Sequence, residues 1–207
     1  MTVDNEFIKD LAALESLFGA PGEASIRKEA SYLHPVYRQW IDASPFVVLA
    51  TVGPDGLDAS PRGDPAPIVT IPDERTILLP ERRGNNRIDS LRNILSDPRV
   101  ALLFLIPGTG ETLRVNGRAR ISVAPELLSG LAIANVPPKC IVEISVDTVF
   151  FQCGRAMQRS RLWDYRNAAR PGDVPTAGAM LAALTQSEFD GAQYDRELPE
   201  RQRATLY

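Results

Sequence analysis

Ser44-Pro-Phe-Val-Val-Leu-Ala-Thr-Val-Gly-Pro-Asp-Gly-Leu-Asp-Ala-Ser-Pro-Arg-Gly63 is the stretch whose reading decides the fold. Phe46 to Val52 is a near-continuous apolar run rich in β-branched residues, the composition of a buried strand. Gly53-Pro-Asp-Gly56 then makes a turn: proline presets φ at one position, and Asp-Gly tolerates positive φ at the next two. A returning strand is expected over about 57–62, so the unit is a hairpin rather than the start of a helical crossover.

The same grammar repeats outward from it. Pro67-Ile-Val-Thr-Ile71, a turn at Pro72-Asp-Glu-Arg75 and Thr76-Ile-Leu-Leu79 predict a second hairpin. Val100-Ala-Leu-Leu-Phe-Leu-Ile106 is a further buried strand, joined through Pro107-Gly-Thr-Gly110 to a long strand over about 111–123. Cys140 to Phe151 closes the set, with Val142, Ile144 and Val146 on one parity and Ile141, Glu143, Ser145 and Asp147 on the other. Helices are expected over 7–18, 35–42, 86–96, 125–134, 156–166 and 175–185 from apolar spacing and from Gly or Pro stops. In the helix at 86–96, Ile88, Leu91 and Leu95 share one side. Tight turns outnumber helical crossovers, which predicts an α+β protein, mainly β with flanking helices, built on an antiparallel six- to seven-stranded barrel. With no internal repeat or low-complexity linker, residues 1–207 read as one domain. Its helical extension covers 1–34, and a polar tail at 186–207 is expected to be extended or to clasp a partner.

Composition narrows the function. A hydrophobic fraction of 44% and a charged fraction of 24% are ordinary for a globular chain, and the net charge of −3 argues against a general nucleic-acid binder. Phe46 and Phe104 sit in buried-looking runs, not on an exposed stacking platform. No stretch approaches the roughly 20 apolar residues of a membrane span. Met1-Thr-Val-Asp-Asn-Glu6 lacks the basic and apolar regions of a secretory leader, so a cytoplasmic protein without membrane partners is expected. Cys140 and Cys153, with no metal-type spacing, are expected to be buried free thiols. His34 is the one histidine. A catalytic triad or multi-histidine metal site would rest on it alone, and a capping role before Pro35 is the simpler reading; no metal and no catalytic acid or base is assigned.

What remains is a cluster of arginine and asparagine. Leu79-Pro-Glu-Arg-Arg-Gly-Asn-Asn-Arg-Ile-Asp-Ser-Leu-Arg-Asn93 places Arg82, Arg83 and Arg87 with Gly84, Asn85 and Asn86 at the expected start of a helix. Forked donors beside free backbone N–H groups suit a phosphate. Ser60 and Arg62 share strand parity and project from one face. Arg114, Asn116 and Arg118 share parity too and are candidates for the same cleft. The alternative is that these arginines pair with Asp58, Asp64, Glu81, Asp89 and Glu111 on a solvated face; spacing alone leaves the two readings level.

The ordered pieces Ser60-Pro-Arg-Gly-Asp64, Arg83-Gly-Asn-Asn-Arg-Ile-Asp-Ser-Leu91 and Glu111-Thr-Leu-Arg-Val-Asn-Gly117 resemble the pyridoxamine 5′-phosphate oxidase superfamily, more narrowly its FMN-dependent branch, over about residues 35–165. The resemblance implies a split β-barrel homodimer with FMN at the subunit interface, transferring hydride or electrons to or from a small organic substrate. It places Ser60, Pro61 and Arg62 along the flavin, Leu79 and Pro80 near its ring, Asn85, Asn86 and Arg87 with Arg83 at its phosphate, and Arg114 on a strand that reaches it. One departure bears on the substrate. Where true pyridoxamine phosphate oxidases carry Arg-Leu-His-Asp, this chain has Arg161-Leu-Trp-Asp164. Arg161 and Trp163 are therefore substrate-binding candidates, with an apolar ring in place of the imidazole. The rival from another class is a module that holds flavin, haem or a deazaflavin without turnover.

Overall fold

A computed structural model describes residues 7–207; Met1–Glu6, from which the absence of a leader was read, lie outside the described residues. Helix α1 (Leu11–Phe18) begins where the Asp10 carboxylate accepts a hydrogen bond from the Ala13 N–H, four residues later than apolar spacing alone suggests, and buries none of its side chains. After α2 (Glu23–Arg27) comes α3 (Pro35–Asp42). His34 caps α3 as expected, its Nδ1 accepting from the Val36 N–H at 3.3 Å, and Pro35 occupies the first turn, where no N–H is needed. Ile41 is fully buried, with Tyr37 and Trp40 packed against the core beside it.

Seven strands follow: β1 (Phe46–Gly53), β2 (Gly56–Gly63), β3 (Thr70–Asp73), β4 (Thr76–Glu81), β5 (Arg99–Leu105), β6 (Thr112–Ser122) and β7 (Cys140–Gln152). They form one antiparallel sheet in the order β2-β1-β5-β6-β7-β4-β3. Val47, Leu49, Leu102, Phe104, Leu113, Val115, Val142 and Ile144 supply the buried parity; the alternation was read in advance only in β7, whereas the apolar runs of β1 and β5 bury every second residue and leave Phe46 exposed. Between Asn116 and Gly117 the β6–β7 register shifts by a bulge, and a Cβ on Gly117 would stand 2.3 Å from the Ser145 carbonyl oxygen.

The barrel is split, because β2 and β3 end the sheet without pairing to each other. β3 starts at Thr70, not at Pro67 as expected, and pairs with β4 only as far as Leu78. Residues 79–81 of β4 thus have β7 on one side and an unpaired edge on the other. Pro61 and Pro80 sit where edge strands tolerate a missing N–H. That unpaired edge positions the site.

Several expected helices are shorter. Helix α4 (Asp89–Ser96) starts three residues late, because Asn86 (φ 60°) and Ile88 (φ 56°, ψ 25°) are left-handed and cannot belong to a right-handed helix. Its inward residues are Ser90, Leu91 and Ile94; Ile88 and Leu95, assigned with Leu91 to one side from the sequence, are exposed. Helix α5 spans only Pro125–Gly130. The helix expected at 156–166 breaks into α6 (Arg155–Ser160) and a 3-10 turn at Tyr165–Asn167, with Arg161 left-handed between them. Helix α7 (Ala177–Leu184) lies near its expected place. The polar tail is not extended: Gly191–Ala204 form α8, capped by Asp190. It packs on α7 so closely that a Cβ on Gly178 would lie 2.0 Å from the Gly191 oxygen. Both cysteines are free; Cys140 is buried as expected, whereas Cys153, just past the end of β7, is exposed.

Candidate functional site

A cleft of about 620 Å³ opens at the split, within the roughly 300–1,000 Å³ typical of small-molecule sites. One wall is the end of β2, with Asp58, Ser60 and Arg62 on its inward parity. The loop 82–88 and the first turn of α4 form another. Pro80 and Glu81 of β4, with Lys139 and Cys140 at the start of β7, make the third.

Charged side chains bridge the two strands where backbone pairing stops. Arg62 Nε donates to Glu81 Oε1 at 2.7 Å, linking β2 to the free edge of β4; Arg62 also donates to Ser90 Oγ at 3.2 Å and to the Pro61 carbonyl at 3.1 Å. The Asp58 carboxylate accepts from Ser60 Oγ at 2.8 Å and Ser90 Oγ at 2.5 Å. Burial works to raise the Asp58 pKa, but those hydroxyls and the Arg62 charge outweigh it and hold the carboxyl below its ordinary 3.8. Arg82 pairs with Asp64 and donates to the Leu131 carbonyl, and Arg87 Nε meets Asp89 Oδ2 at 2.8 Å. The pairing alternative is therefore realised for three arginines, but on a solvated face only for Arg87, since the Arg62–Glu81 and Arg82–Asp64 pairs are largely buried. Arg83 makes no ion pair or hydrogen bond among the described residues. At the neighbouring wall, burial above all, and then the charge of Glu81, push the Cys140 thiol up, so it stays protonated.

Of the residues singled out from sequence, Ser60, Pro61, Arg62, Pro80, Arg83, Asn85, Asn86 and Arg87 come together here. Asn85, Asn86 and Arg87 do so from a loop ahead of α4, not from its N-terminus. Leu79 does not join them: neighbouring strand residues face opposite ways, and Leu79 is fully buried in the core. Arg114, Asn116 and Arg118 are also elsewhere. The Arg114 guanidinium lies 5.5 Å from the Phe150 ring, and Asn116 donates to Thr148 on β7. Trp163 donates to the Thr109 carbonyl at 2.7 Å, beside the β5–β6 turn, and neither it nor Arg161 lines the cleft. Ser90 and Lys139 are contributors that sequence reasoning passed over, and Asp58 entered it only as an ion-pair partner of the arginines. Ser90 falls within the arginine–asparagine segment and was available to it; Lys139 follows Pro137-Pro138 with no local motif.

The chain is an α+β protein built on a split barrel, with a cleft of mixed basic and acidic lining at its opening. The sequence profile described as pyridoxamine 5′-phosphate oxidase matches residues 33–153, more than half of the chain, and the chain belongs to that family. No curated protein matches. Among solved structures it is similar to a HupZ variant from Group A Streptococcus, at 17% identity over 58% of this chain and 99% of that one, with a TM-score of 0.48. Others include general stress protein 26 from Bacillus anthracis (17% identity, 55% and 88% covered, TM-score 0.42). An FMN-binding protein from Syntrophomonas wolfei is similar at 12% identity, with 53% and 78% covered and a TM-score of 0.40.

Proposed function

We propose that this chain is an FMN-dependent oxidoreductase acting on a small organic substrate as a homodimer. The observation that carries the proposal is the cleft itself, in a member of this family: donors from the Arg83–Arg87 loop sit at one end, and Pro61, Ile68, Pro80 and Leu91 offer apolar surface alongside. That donor set fits the phosphate of FMN, and the apolar patches fit the body of a flavin. Bound there, FMN would supply the hydride- or electron-transfer centre that the side chains lack. The chain's own residues would bind and orient it. Arg83, Asn85, Asn86 and Arg87 serve the phosphate, and Ser60, Pro61 and Arg62 run along the rest. The exposed Arg87–Asp89 pair is weak enough for Arg87 to exchange its carboxylate for a phosphate.

Arg114, Arg161 and Trp163 would reach a flavin only from a second subunit, which ties the substrate assignment to the dimer. Exposed Phe46, Phe151 and Leu162 are apolar surface that such an interface would cover. Trp163 in place of an imidazole points to a substrate other than pyridoxamine phosphate.

The test is the absorption spectrum of the purified protein and its titration with FMN. A yellow protein, or one that takes up added FMN with micromolar or tighter affinity, supports the reading; a colourless protein that ignores FMN refutes it. Anaerobic reduction by NADH, NADPH or a reduced deazaflavin separates an enzyme from a carrier. Arg83→Ala is expected to weaken FMN by about 1.5–3 kcal/mol, the contribution of a charge-assisted contact.

A further inference from the structure

We infer that Lys139 is an anion-binding side chain of the cleft, holding the ligand's phosphate together with Arg83; the inference rests on the FMN reading above. The cleft contains five cationic side chains and four carboxylates. Arg62, Arg82 and Arg87 are each joined to a carboxylate, Glu81, Asp64 and Asp89 respectively. The fourth carboxylate, Asp58, is taken up by two serine hydroxyls. Arg83 and Lys139 are left without a carboxylate partner. Asp58 keeps its charge, so the five cations and four carboxylates leave the cleft one positive charge in excess, and a phosphate monoester, with about −1.5 to −2 charges near pH 7, would supply the counter-charge that Arg83 and Lys139 lack.

Backbone geometry brings Lys139 to this place. Glu81 pairs with Cys140 across β4 and β7, and one step beyond, the Lys139 N–H donates to the Glu81 carbonyl at 2.9 Å. Lys139 thus stands opposite the point where β4 turns into the 82–88 loop. Pro137 and Pro138 ahead of it restrict the approach of the chain. Its side chain spans to that loop, where Nζ donates to Asn86 Oδ1 at 3.4 Å. A neutral amide oxygen at that distance is a weak partner for an ammonium, and a phosphate oxygen is a stronger one. Asn86 has a left-handed backbone and lies exposed in the loop.

The test uses the full chain freed of flavin and titrated with FMN and with riboflavin, followed by quenching of flavin fluorescence. Wild type is expected to prefer FMN. Lys139→Gln should lose about ten- to a hundredfold in FMN affinity while its riboflavin affinity stays within about twofold, and Lys139→Arg should restore most of the loss. If wild type binds neither flavin, the FMN reading fails and this inference fails with it. If wild type binds FMN and Lys139→Gln binds it equally well, the FMN reading stands and the role of Lys139 is refuted. Equal losses for FMN and riboflavin, or a wild type that does not distinguish them, also overturn it, because a phosphate contact cannot act on riboflavin.

Discussion

Removing Arg62 should loosen the split of the barrel. The Arg62 and Glu81 side chains are only 19% and 13% exposed, and their 2.7 Å contact joins β2 to a stretch of β4 that has no strand on that side. Arg62→Ala deletes that bond and the 3.2 Å bond to Ser90, leaves Glu81 charged in a largely desolvated place, and strips Asp58 of its nearest cation. A charge-assisted hydrogen bond contributes about 1.5–3 kcal/mol, and stranding one partner of a buried pair costs about 3–5. Partial exposure lowers the second figure, so a loss of about 2–3 kcal/mol is expected. In a chain of this length that is a fall of about 4–12 °C in Tm. Urea unfolding of Arg62→Ala, Glu81→Ala and the double variant isolates the pair, with an expected coupling of about 1–2 kcal/mol. A coupling under about 0.5 kcal/mol would mean that packing alone holds the opening together, and the reasoning would be wrong.

Gly117→Ala forces a Cβ against the Ser145 carbonyl, which no side-chain rotation relieves, so a loss of about 1–3 kcal/mol in urea unfolding is expected; a wild-type midpoint would refute the bulge. Gly178→Ala should separate α7 from α8 and leave the sheet intact, so hydrogen exchange should quicken over 177–204 and not in β5–β7. Because the folded pKa of Asp58 is depressed, its contribution to stability is present above the unfolded value near 3.8 and is lost as pH falls through the folded one. The Tm gap between wild type and Asp58→Asn should therefore shrink as the pH is lowered past 3.8, and a gap that widens on acidification contradicts the shift.

The strands of the core were legible because a half-buried sheet imposes period two on its residues, visible from Val142 to Asp147, and because turns demand particular residues, as at Gly53-Pro-Asp-Gly56. The start of α4 was not. Its boundary depends on the left-handed backbone at Ile88, which a β-branched residue adopts only when its surroundings require it. The C-terminal helix was also missed, since α8 is polar nearly all round and owes its place to close packing on α7 through Gly178 and Gly191.

The arginine–asparagine loop was readable as an anion site because its residues are neighbours in sequence. By itself the sequence determined a mainly antiparallel β protein with flanking helices, and the local segment around which its cleft is built. Only the tertiary structure decided which charges remain available there. It paired Arg62 with Glu81, Arg82 with Asp64 and Arg87 with Asp89, sent Arg114 to Phe150, and brought Lys139 to Asn86 from more than fifty residues away. Strand parity says which face a side chain takes, but ion pairing depends on distance in space, and that is set by how the sheet curls to its split.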